Sequence, residues 1–233
     1  MQRIGPIARP KSVLIEFPSP SSAAYPTVNP LFTIGHSTHD FAKFLGLLDL
    51  HGIEVVADVR SRPFSRLAWF CRPALEKELR ANGLRYVFLG DELGARRVER
   101  ECYIGPRADY GLIAGTPAFQ KGIERLRDGV LKFRVALMCA EKDPLDCHRT
   151  VLVCRYAQEF AEIFHILPDG RLESHAAAEE RMMAPYVSPE GDMFRSRIEL
   201  LNDAYKRRGE EINYVEQPQT SSVVRDEPWN DEL

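Results

Sequence analysis

The sequence predicts an α/β fold: a mostly parallel sheet with helices on both faces, a Rossmann-like three-layer sandwich finished by a short hairpin. Three observations predict it. Short β-rich runs alternate with amphipathic ones along most of the chain, the pattern of parallel strands joined by helical crossovers. The run Val55-Val56-Ala57-Asp58-Val59 is almost continuously apolar, as a strand covered on both faces must be. Pro168-Asp169-Gly170 stands between two further β-rich runs, which reads as a hairpin turn.

The elements follow in order. Residues 31–34 form a first strand ending at Gly35. Thr38 can cap a helix whose apolar residues Phe41, Phe44, Leu45 and Leu48 keep the i, i+3, i+4, i+7 spacing. Gly52 ends that helix in the left-handed conformation. Residues 55–59 are the second strand. Pro73 opens a second helix, with Leu75 and Leu79 stacked and Gly83 closing it. Residues 86–89 are a third strand, and a long loop runs from there to about residue 115, a length that a compact domain keeps for function or mobility. Pro117 begins a helix through Phe119, Ile123 and Leu126. Residues 133–138 make a fourth strand, residues 150–161 a fourth helix, and residues 163–174 the closing hairpin. A last helix is expected over residues 192–208, packed on the outside.

Composition bounds the rest. The chain has 233 residues, 44% hydrophobic and 28% charged, with a formal charge of -3. Residues 1–29 are rich in proline, serine and alanine and read as a flexible leader. Residues 30–215 read as a single α/β domain, and residues 216–233 as an acidic disordered tail. From Glu210 onward seven acidic residues face the single Arg225, so the body is mildly basic. That balance suits a phosphate-bearing ligand but not a dedicated DNA binder. No run approaches the ~18 apolar residues that cross a bilayer, and the leader does not read as a secretory signal. Five cysteines without disulfide spacing point to reduced thiols in a cytoplasm.

Three short motifs fall at the carboxyl ends of predicted strands, where open parallel sheets bind their ligands. Gly35-His36-Ser37 follows the first strand; its glycine permits close backbone approach, and His36 can act as a base or as a hydrogen-bonding post. Asp58 and Arg60 end the second strand. Two residues apart, they share a face, and Arg62 and Arg66 follow them. Arginine's planar fork fits phosphate or carboxylate, and Phe64, Trp69 and Phe70 beside it can stack on a ring or plug the loop. The third motif runs from Cys139, Ala140 and Glu141 to Cys147, His148 and Arg149. Here the chain turns at Pro144, and Asp146 is placed to cap a helix whose first turn holds Cys147, His148 and Arg149, a position that stabilises a thiolate or a bound anion. Two thiols, a carboxylate and an imidazole suit nucleophilic thiol catalysis with Glu141 or His148 as proton carrier, or a metal site on Cys139, Cys147 and His148. The loop with Arg96, Arg97, Arg100, Tyr103, Arg107 and Tyr110 repeats the arginine-plus-aromatic theme. Cys71, Cys102 and Cys154 have no partner spacing, and His51, His165 and His175 read as structural.

At these residues the chain resembles the "domain of unknown function 488" family. The matching pieces are Thr33-Ile34-Gly35-His36-Ser37, Asp58-Val59-Arg60 with Pro63 and Ser65, Tyr86 with Leu89 and Gly94, Met138-Cys139-Ala140-Glu141 with Cys147-His148-Arg149, His165-Ile166, and Asp169-Gly170 through His175. The resemblance spans residues 31–175. It implies a compact α/β fold and a shared site at these positions, and it supplies no reaction. Where the family pattern often has a second glycine after Gly94, this chain has Ala95.

The functional expectation is an intracellular enzyme acting on a nucleotide, a nucleic-acid base or another phosphate-bearing substrate. Cys139 or Cys147 is its nucleophile, Glu141 or His148 its proton carrier, and Arg60 and Arg149 its anion clamp, with Gly35, His36, Ser37, Asp58 and Arg62 in the binding site. A non-catalytic nucleotide or nucleic-acid binding module is the second reading, and a metalloprotein using Cys139, Cys147 and His148 the third. The sequence names no cofactor and no oligomeric state; the partner is an anionic small molecule or nucleic acid, not a membrane.

Overall fold

The computed structural model describes residues 28–186 and 195–216. The expected leader and tail, apart from residues 28, 29 and 216, lie outside the described residues. The chain runs β1 (Leu31–Gly35), α1 (Phe41–Leu50), β2 (Val55–Asp58), α2 (Arg72–Ala81), β3 (Arg85–Phe88), α3 (Gly90–Leu93), β4 (Tyr103–Ile104), β5 (Arg107–Ala108), α4 (Tyr110–Ala114), α5 (Pro117–Val130), β6 (Val135–Cys139), α6 (Arg155–Ala157), β7 (Ile163–Ile166), β8 (Leu172–Ser174), α7 (His175–Met183) and α8 (Arg197–Ile212). Six strands form one sheet in the order β3-β2-β6-β1-β7-β8. The first five are mutually parallel, and β8 returns antiparallel to β7 through the expected hairpin.

Strand side chains alternate between two faces, and each face has its own core. Leu31, Val55, Ala57, Val135, Leu137 and Ile163 pack with Phe119, Ile123 and Leu126 of α5 on one side. Phe32, Ile34, Val56, Ala136, Met138 and Ile166 pack with Phe44 and Leu48 of α1 and Leu75 and Leu79 of α2 on the other. This double covering explains why β1, β2 and β6 are apolar at nearly every position. A third cluster joins α7 and α8 to the segment before the site, through Leu145, Val151, Met182 and Tyr205.

Several boundaries differ from the sequence expectation, each for a local reason. Asp40, not Thr38, caps α1: its carboxylate accepts from the Lys43 amide at 2.7 Å. Gly52 at φ 59° ends that helix as expected. The long loop after β3 holds α3, the β4–β5 ribbon and α4. The helix expected over residues 150–161 begins instead with a π-helical turn, Arg149–Cys154, whose six residues are all buried, and continues as α6. Such wide turns recur at functional sites. Helix α7 was given no element in the sequence; Ser174 caps it by accepting from the Ala177 amide at 3.2 Å. No described helix is long and apolar enough to cross a membrane.

Candidate active site

Strands β2, β6 and β1 are neighbours, with Gly35 level with Cys139 and Asp58 level with Met138. The three motifs therefore end side by side at one sheet edge. The ladder runs one step beyond the strands, since the His36 amide donates to the Cys139 carbonyl and the Ser37 amide to the Ala140 carbonyl, both at 2.9 Å. Gly35 is required there. A Cβ on it would stand 1.8 Å from the Glu141 carbonyl oxygen, and that oxygen accepts from Arg149 Nη1 at 2.9 Å.

Asp58 is wholly buried and saturated with donors. Its Oδ1 accepts from the Arg60 amide at 3.1 Å and from Nε at 2.9 Å. Its Oδ2 accepts from Arg60 Nη2 at 2.7 Å and from the Tyr86 hydroxyl at 2.8 Å. This bidentate pairing fixes the guanidinium plane. The remaining Nη1 donates to His36 Nε2 at 3.2 Å, while His36 Nδ1 donates to the Ser37 carbonyl at 3.0 Å. Ser37, at φ 47° in the left-handed region, turns that carbonyl back onto the ring. His36 is thus held neutral: burial and then the Arg60 charge lower its pKa to about 4. The Phe70 ring stacks on it at 4.3 Å. Tyr86 is kept protonated by burial and by Asp58.

The thiols occupy the other wall. His148 Nε2 donates to the Val59 carbonyl at 2.9 Å, so Nδ1 faces Cys139 Sγ at 3.7 Å and Cys147 Sγ at 3.9 Å. The Arg149 amide donates to Cys147 Sγ at 3.4 Å. Burial opposes ionisation of Cys147, but the Cys139 thiol hydrogen bonded to it, the Arg149 guanidinium and His148 outweigh burial and hold it well below the ordinary thiol range. Cys139, buried and beside that negative sulfur, is pushed well above it. Burial works against the His148 cation too, yet its bond to Cys147 and the charges of Cys147 and Glu141 raise its pKa. Glu141 stands at the open edge; partial burial and the Cys147 charge raise its carboxyl pKa. Asp146 does not cap the following turn. Asp143 caps the preceding one, accepting from the Leu145 amide at 2.9 Å, while Asp146 pairs with Arg208 of α8.

These groups open onto a cavity of about 560 Å³. Its wall includes Cys139, Glu141, Cys147, His148, Arg60 and Arg62. Gly35, His36, Ser37, Asp58 and Arg149 stand behind that wall and hold it in place. The sequence reading missed the contribution of α8 and the residues after it: Ile212 to Val215 close the far side of the cavity. Asn213 Oδ1 is buried there without a hydrogen-bond partner among the described residues. No local pattern announces them, because they reach the cavity by tertiary packing.

Cys139 Sγ, Cys147 Sγ and His148 Nδ1 are also the atoms that could hold a metal ion, all within 4.8 Å of one another. Metal–sulfur and metal–nitrogen bonds of about 2.3 and 2.0 Å at tetrahedral angles separate sulfur from nitrogen by about 3.5 Å, a few tenths of an ångström under the 3.7 and 3.9 Å found. The carbonyl behind His148 is the kind of partner that orients a metal-binding imidazole.

A family model, Domain of unknown function DUF488, matches residues 40–156. The chain belongs to this DUF488 family. The DUF488 match takes in Asp58, Arg60, Cys139, Glu141, Cys147, His148 and Arg149, and leaves out Gly35-His36-Ser37, β7, β8, α7 and α8. No curated protein and no solved structure matches the chain.

Proposed function

We propose that the protein is a thiol-dependent hydrolase or transferase acting on a nucleotide, a nucleic-acid base or another phosphate-bearing substrate, with Cys147 as nucleophile. The observation that carries this reading is the environment of Arg149. Its guanidinium is wholly buried, and its side-chain hydrogen bonds end on neutral acceptors: Thr33 Oγ1 at 3.4 Å and the carbonyls of Glu141 and Lys142 at 2.9 and 3.5 Å. A buried cation without an anion nearby is strongly destabilising. The Cys147 thiolate is the anion that answers it, and a thiolate on a cavity wall is a nucleophile.

In this mechanism the Cys147 sulfur bonds to the electrophilic carbon or phosphorus of the substrate, and the leaving group departs with a proton carried by the Glu141 carboxyl, the acid at the open edge of the site. Water, or an acceptor in a transferase, then displaces the sulfur and returns a proton to Glu141. His148 stays with Cys147 as its cationic partner. The substrate class is supported by the mouth of the cavity. Phe64 lies there 78% exposed, a surface on which a ring can stack. Arg62 and Arg96 also line it, and neither has a carboxylate partner among the described residues. They, rather than the internally bonded Arg60 and Arg149, are the cations offered to a phosphate, Arg96 lying over the Tyr214 ring at 4.8 Å.

The test is turnover of a panel of nucleotides and phosphate esters. Cys147→Ser loses turnover by roughly a thousandfold or more while keeping its fold, and Arg62→Ala chiefly raises KM. Full turnover in both Cys139→Ser and Cys147→Ser ends the thiol mechanism. The tetrahedral spacing of Cys139, Cys147 and His148 favours one second reading, a metal-assisted hydrolase with Glu141 as base. One equivalent of zinc in the purified protein, lost together with turnover on chelation, would put that reading first.

A further inference from the structure

Behind the site lies a buried polar chain that the chemistry above does not use. Arg149 Nε meets Thr33 Oγ1 at 3.4 Å, and Thr33 Oγ1 meets His165 Nδ1 at 2.8 Å. His165 Nε2 meets His175 Nδ1 at 3.2 Å, and His175 Nε2 meets the Tyr205 hydroxyl at 3.0 Å. That hydroxyl donates to Glu179 Oε1 at 2.8 Å. All six residues are buried. The path crosses from β1 to β7, then to α7 and α8.

We propose that Thr33, His165, His175, Tyr205 and Glu179 form a one-way hydrogen-bond relay that positions the Arg149 guanidinium behind the site. The two ends dictate the direction. A guanidinium can only donate, and a carboxylate can only accept. Thr33 therefore accepts from Arg149 and sends its own proton to His165 Nδ1. His165 carries its proton on Nε2 and donates to His175 Nδ1. His175 likewise donates from Nε2 to Tyr205, whose proton goes to Glu179. Every donor and acceptor is used once, and both imidazoles are neutral. Burial, the first cause in each, lowers the pKa of both histidines, and for His165 the Arg149 and Arg181 charges add to it. Each bond polarises the next, so the relay fixes the plane of the Arg149 guanidinium from behind. Thr33, His165, His175, Tyr205 and Glu179 are positioning residues; none lines the cavity.

The chain is read directly by nitrogen-15 NMR of the reduced full-length protein. At neutral pH, both imidazoles show the neutral form protonated at Nε2. Tyr205→Phe shifts the Arg149 Nε–H resonance although Tyr205 does not touch Arg149, and Thr33→Val shifts it further while Thr33→Ser leaves it near the wild-type position. A charged His175, Nδ1 protonation of either ring, or an Arg149 resonance indifferent to Tyr205→Phe overturns the relay.

Discussion

Gly35 is glycine because the Glu141 carbonyl fills the space a Cβ would need, 1.8 Å away. Gly35→Ala must push the Cys139–Glu141 segment aside, and a cost of about 2–4 kcal/mol is expected from a forced backbone shift in a packed interior; urea midpoints measure it. Asp58 makes a different prediction. Asp58→Asn leaves the Arg60 guanidinium buried without its carboxylate, at a cost of roughly 3 kcal/mol, and frees Arg60 to turn toward the cavity. A midpoint within error of wild type would mean that the pair is not the anchor described. At this scale the sequence placed these residues at one sheet edge but did not give the way each side chain faces. Asp58, Arg60 and His36 were legible as a cluster because strand period and strand ends place them. That Arg60 spends its fork on Asp58, and Arg149 on carbonyls, depends on which way buried side chains face, which spacing does not encode.

Helices α1, α2 and α5 were legible from the apolar stripe each buries, and the strands of the main sheet from short β-rich runs bounded by turn residues, which in β1, β2 and β6 are buried throughout. The π-turn Arg149–Cys154 was not, since residues buried on all sides leave no stripe to read. Nor was the cap of α1, where Asp40 and Thr38 are chemically equivalent candidates and only geometry chooses. Asp40→Ala is expected to cost about 1 kcal/mol and to leave the Cys147 alkylation rate unchanged, because α1 does not reach the cavity. Helix α8 behaves oppositely. Arg208 Nε donates to the Leu145 carbonyl at 3.1 Å, and the same side chain pairs with Asp146, so α8 clamps the turn that delivers Cys147. Arg208→Ala changes Cys147 reactivity more than it changes stability, as paired alkylation and urea measurements show; the reverse ranking would remove α8 from the site.

Over the whole molecule, buried neutral histidines link stability to pH. His36, His165 and His175 all have lowered pKa values with burial the leading cause. Between the ordinary histidine value and the lowered one, the unfolded chain binds more protons than the folded chain, so stability rises with pH there. Their contribution is fully present above about pH 6.5 and is lost as pH falls. For His36, moved to about 4, the loss is roughly 3 kcal/mol. Denaturation midpoints should therefore fall steadily from pH 7 to pH 4.5, and His36→Gln should flatten part of that slope. A flat profile would mean that these rings titrate normally.

The proposed function turns on an ionised Cys147. Its most direct test is the pH dependence of iodoacetamide modification, mapped cysteine by cysteine in the reduced, metal-free protein. Cys147 is expected to react fastest of the five thiols at pH 6 and to keep reacting well below about pH 8.5, the midpoint of an ordinary cysteine, while buried Cys102 and Cys154 stay unmodified. A Cys147 that reacts only as the pH approaches that ordinary midpoint, in step with Cys71, contradicts it.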